Sequence, residues 1–85
     1  MPTPPLTIEL VQWRAAFGAH LREVRERHNV SQEALAERAG VDRKLIYRAE
    51  LGQTSPRVDA LVQIADALGV QPSALLPPLR HSGQR

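Results

Sequence analysis

Apolar residues recur along the chain at intervals of three and four, in runs separated by glycine, proline and short polar side chains, so the sequence predicts a series of helices. The first run, Leu10, Trp13, Phe17, Leu21 and Val24, lies on one face of a helix that Thr7 can cap and that extends to about Arg27. Gly18 inside it marks either a weak point or a place where another helix comes close. Ser31 offers the next N-cap, Glu33 favours the first turn, and Leu35, Ala36 and Ala39 supply an inner face. Ala34 occupies the position a reciprocal capping box would need for Glu or Gln, so that motif is missing. Gly40 can take the left-handed conformation that ends this short helix.

Asp42 follows almost at once as a new N-cap, so the third helix must start at an angle to the second across Gly40-Val41-Asp42. It is predicted to continue to Leu51 and stop at Gly52. After a polar loop around Pro56, the residues Val58, Leu61, Val62, Ala65 and Leu68 predict a fourth amphipathic helix that Gly69 closes. Pro72 suits the first position of a fifth, one- to two-turn helix through Ala74, Leu75 and Leu76, which Pro77 and Pro78 terminate. No internal repeat or strand-like alternation stands out. The expected architecture is all-α: a compact five-helix domain over residues 7–76 with an extended first helix, a proline-rich leader at 1–6 and a tail at 77–85.

Composition narrows this picture. With 85 residues there is room for one small core, and a second effector-sensing or catalytic domain is not expected. Aromatic residues make up 4% and cysteine is absent, so the core must be aliphatic and unstapled, a situation in which dimerisation would help. The absence of a long apolar run or a charged-then-apolar leader makes a cytoplasmic protein with no membrane partner the default expectation. The net charge of +2 says little by itself. Its distribution says more, because Arg38, Arg43, Lys44, Arg48 and Arg57 face only Asp42 and Glu50 in the same stretch.

On a helical wheel centred on Ile46, Asp42, Arg43, Ala49 and Glu50 fall within about 60° on the inward half, at roughly 100° per residue. Lys44, Tyr47, Arg48 and Leu51 fall on the opposite arc. A helix held by Ile46 and Ala49 thus presents two cations and a phenol outward, groups that can reach base edges in a major groove. Lys44, Tyr47 and Arg48 are the candidate base contacts. Arg43, at the helix start, can reach a phosphate or an edge base. Gln32 opens the second helix, where free N–H groups attract phosphate and its amide adds a donor. Gln53, Thr54 and Arg57 in the following loop complete the candidate phosphate contacts.

At these residues the sequence resembles the lambda-repressor-like (Cro-type) helix-turn-helix family. The matching positions are Phe17-Gly18, Leu21, Val24-Arg25, Ser31-Gln32, Leu35-Ala36, Gly40-Val41, Ile46, Glu50, Gly52, Pro56, Leu61, Ala65 and Leu68-Gly69-Val70, each at its family spacing between about Ala15 and Leu76. The resemblance implies five helices, operator binding as a homodimer, regulation of transcription, and an Arg25–Glu50 ion pair joining the first helix to the end of the third. Two positions depart from the pattern. Leu51 replaces a usually polar or basic residue, and Arg57 stands where a serine often caps the fourth helix.

His20, His28 and His81 share no ligand spacing, so no metal site is expected. No nucleophile triad or phosphate-cradling glycine loop is present, so neither catalysis nor a cofactor is expected. Leu75, Leu76 and Leu79 form an apolar end that can close the core and serve as a dimer surface, and Leu10 and Trp13 are a second such place. The leading expectation is a homodimeric regulator, repressing or autoregulating, on operator DNA. Within it, a phage-type repressor, a restriction-modification controller and the DNA-binding antitoxin of a toxin pair are the alternatives. A different class is a bridging module that contacts transcription machinery without reading bases.

Overall fold

Short polar side chains fix where three of the helices begin. In the computed structural model, which describes residues 7–78, Thr7 Oγ1 accepts a hydrogen bond from the Leu10 amide at 3.0 Å, Ser31 Oγ from Ala34 at 3.0 Å, and Asp42 Oδ1 from Lys44 at 2.9 Å. Each satisfies an amide that the first turn leaves without an intrahelical partner. The helices they open are α1 (Ile8–Arg27), α2 (Gln32–Ala39) and α3 (Arg43–Glu50). A fourth, α4 (Val58–Leu68), starts at Arg57 without a side-chain cap. The chain then makes a 3-10 turn at Pro72–Leu75.

Between α2 and α3, Gly40 adopts φ 71° and lets the Val41 amide reach back to the Ala36 carbonyl at 3.0 Å. A Cβ at Gly40 would meet nothing within 4 Å, so the positive φ alone favours glycine there. Asn29 at φ 57° ends α1 in a similar way.

The fifth element differs from expectation: it is a four-residue 3-10 turn, so the described residues hold four α-helices rather than five. Leu76 precedes Pro77, and the proline ring drives it to extended backbone, φ −86° and ψ 135°, which leaves no room for a further helical turn. Leu75 is fully buried. It therefore closes the core and cannot serve as part of a dimer surface; Leu76 stays 41% exposed, and Leu79 lies outside the described residues.

Phe17, Leu21 and Val24 of α1, Leu35 of α2, Ile46 of α3, Ile64 and Leu68 of α4, and Leu75 meet in one core. Helix α4 is rotated from its expected setting. Val58 and Val62 are 73% and 46% exposed, while Ile64, absent from the predicted stripe, is fully buried. The stripe Leu61, Ile64, Ala65, Leu68 is a complete i, i+3, i+4, i+7 set with larger side chains, and it faces α2 and the 3-10 turn. Leu10 is likewise exposed, because the first turns of α1 overhang the core. Trp13 is half-buried and stacks on Phe17 with ring centroids 5.9 Å apart. His20 Nε2 lies 2.9 Å from the Ala74 carbonyl, which gives this histidine a structural partner in the turn. No helix among the described residues is long and apolar enough to cross a membrane.

Candidate nucleic-acid interface

Helix α3 is anchored from its inner side. Ile46 and Ala49 are fully buried, and α1 packs so closely across them that a Cβ on Gly18 would overlap the Ala49 carbonyl oxygen and stand 2.7 Å from that of Glu50. The close approach anticipated at Gly18 is therefore made by the last turn of α3.

That last turn is also held by charge. Arg25 Nε donates to Glu50 Oε2 at 2.6 Å and Arg25 Nη2 donates to Glu50 Oε1 at 3.0 Å, a two-pronged pair with both side chains nearly buried. Arg25 Nη1 donates to the Val30 carbonyl at 2.8 Å. The Glu50 hydrogen bonds raise the Arg25 pKa further above its ordinary value, while burial opposes the rise. No buried side-chain polar atom among the described residues lacks a partner. The pair therefore meets the condition under which a buried ion pair is tolerated.

Gln32 joins this network, since its Nε2 donates to Glu50 Oε1 at 3.0 Å. One amide hydrogen is thus committed to α3, and the second has no hydrogen-bond partner among the described residues. The sequence points to Gln32 as an anion-facing residue but carries no sign of this tie, which spans 18 positions and two helices.

With Ile46, Ala49 and Glu50 turned inward, the outer arc is open. Lys44, Tyr47, Arg48 and Leu51 are all exposed, Tyr47 by 52%. Asp42 and Arg43, on the inward half of the wheel, are exposed too, because they sit at the helix start. One open depression is lined by Asp42, Arg43, Lys44 and Tyr47. A second, lined by Asp42, Lys44, Leu45, Arg48 and Thr54, brings the loop after α3 to the side of the same arc. Gln53 and Arg57 of that loop are exposed.

The cations in the second half of α1 differ from those of α3. On α1, Arg22 pairs with Glu26 at 3.1 Å and Arg27 with Glu23 at 3.3 Å. On α3, Arg43, Lys44 and Arg48 have no ion-pair partner among the described residues. An exposed helix with unpaired cations, joined by a glycine turn to a second helix of equal length, has the form of a groove-reading element.

A family model for the helix-turn-helix domain matches residues 16–79. The chain belongs to the lambda-repressor-like helix-turn-helix family. Members of this family are DNA-binding transcription regulators, and several relatives are named HTH-type transcriptional regulators. Control protein C.BamHI of Bacillus amyloliquefaciens is 39% identical over 64 residues, covering 74% of this chain and 79% of that protein. An HTH-type transcriptional regulatory protein of Methanocaldococcus jannaschii is 45% identical over 53 residues, which are 62% of this chain but only 17% of the relative. Among solved structures, the restriction-modification controller protein C.AhdI of Aeromonas hydrophila superposes with a TM-score of 0.72 at 35% identity, covering 74% of this chain and 96% of that one. The helix-turn-helix unit here is thus a small part of some relatives and nearly all of others.

Proposed function

We propose that this protein is a sequence-specific DNA-binding regulator of transcription that docks α3 in the major groove of an operator. The observation that carries the reading is the outward arc of α3, where Lys44, Tyr47 and Arg48 are exposed and both cations lack ion-pair partners among the described residues. Lys44 and Arg48 donate to guanine O6 and N7, and Tyr47 adds an aromatic face with a hydroxyl tip. Arg43, Gln32, Gln53, Thr54 and Arg57 hold the backbone on either side of that groove and set the register. A module bridging other proteins without reading bases would use the same arc on an acidic partner surface, and it would then show no preference among duplexes.

The active form is a homodimer on two half-sites about one DNA turn apart. Leu76 and the rotated outer edge of α4, Val58 and Val62, supply exposed apolar surface for a second copy. Of the regulatory roles open to such a protein, a controller acting at its own operon's promoter is favoured, because similarity to C.BamHI and C.AhdI runs through most of those two controllers. Repressor and antitoxin roles use the same docking.

Selection of a binding site from random duplexes tests this reading. The selected site is expected to bind at least about 10³-fold more tightly than a scrambled duplex at moderate salt, with protection over two half-sites. Equal binding to both duplexes would refute operator recognition, and protection of a single half-site would refute the dimer.

A further inference from the structure

A cation of α1 lies against the loop that follows α3. Arg14, in the part of α1 that precedes the family-matched residues 16–79, donates from Nε to Ser55 Oγ at 3.3 Å. The contact spans 41 positions and ties α1 to the loop between α3 and α4. That loop runs from the reading arc to α1: Thr54 lines a depression with Lys44 and Arg48, and a Cβ on Gly52 would stand 3.0 Å from the Ala15 Cα. Arg14 therefore sits next to the loop whose neighbours Gln53, Thr54 and Arg57 are assigned to the DNA backbone.

Two features of this contact point to an anion. Arg14 has no ion-pair partner among the described residues, whereas Arg22, Arg25 and Arg27 of the same helix each have a glutamate. Its Nε is used by Ser55, and neither terminal nitrogen has a hydrogen-bond partner among the described residues, so the outer edge of the guanidinium keeps its donors. Ser55, which accepts from Arg14, still has its own O–H to donate. An Arg fork beside a hydroxyl donor suits phosphate oxygens.

We propose that Arg14 and Ser55 together bind a DNA backbone phosphate, widening the footprint beyond the helix-turn-helix. This rests on the operator reading above and can fail separately from it. The test is duplex binding by the full chain across a range of salt for Arg14→Gln, Arg14→Lys and Ser55→Ala, with Arg57→Gln as a loop control. Arg14→Gln should weaken selected and scrambled duplexes alike by roughly tenfold and reduce the slope of log K against log salt by about 0.9. Arg14→Lys should keep most of the slope, Ser55→Ala should weaken binding with the slope retained, and all should unfold at the wild-type midpoint. An unchanged slope in Arg14→Gln, with or without loss of affinity, would overturn the phosphate contact. If wild type and Arg57→Gln also show no salt dependence, the operator reading itself fails.

Discussion

Glu50→Ala is expected to destabilise the fold by about 3–5 kcal/mol, a large share of what holds a domain of this size together. The carboxylate is the acceptor for two Arg25 donors and for Gln32, at 2.6, 3.0 and 3.0 Å. Removing it strands a nearly buried guanidinium with only the Val30 carbonyl as a partner. The cost comes from that stranded charge more than from the lost attraction, so replacing Arg25 and Glu50 together with apolar residues should recover much of the loss. Urea unfolding of wild type, both single variants and the double variant checks this. A loss below about 1 kcal/mol for Glu50→Ala would place the pair in the class of exposed surface bridges.

Gly18→Ala has the second large effect, and its sign opposes helix propensity. At an ordinary helix position the exchange gains about 1 kcal/mol. Here the added methyl would overlap the Ala49 carbonyl oxygen and crowd that of Glu50, and these backbone atoms cannot turn aside as a side chain could. Overpacking costs of about 3 kcal/mol outweigh the gain, for a net loss of about 2 kcal/mol. Because the strain falls on the last turn of α3, DNA affinity should drop further than the unfolded fraction accounts for. A Gly18→Ala protein more stable than wild type would mean that α1 and α3 do not approach this closely.

Both substitutions act on the seam between α1 and α3, and that seam shows what sequence does and does not reveal. Thr7, Ser31, Asp42 and Gly40 act within a few residues of themselves, and the helix limits they predict are the observed ones to within a residue. The outward arc of α3 was legible for the same reason: eight residues with one buried edge leave little freedom of rotation. Helix α4 has apolar residues on more than one stripe, so its rotation depends on α2 and on Leu75, and periodicity alone favoured Val58 and Val62 over Ile64. The fifth element is a 3-10 turn and not an α-helix because Pro77 holds Leu76 in extended backbone, a local effect that the apolar pattern of Ala74, Leu75 and Leu76 does not express. Gln32 to Glu50 and Arg14 to Ser55 join distant parts of the chain, and no local pattern marks them. The candidate site was thus readable in its exposed cations and, through the family resemblance, in the Arg25–Glu50 pair, but not in the contacts made by Gln32 and Arg14.

The central claim is that Lys44 and Arg48 read bases instead of merely adding charge. The most direct measurement is the affinity of Lys44→Ala and Arg48→Ala for the selected operator and for a scrambled duplex, in the same buffer. Each variant should lose about 1–3 kcal/mol on the operator and much less on the scrambled duplex, so that discrimination collapses. Equal losses on the two duplexes would make these side chains phosphate contacts and contradict the account.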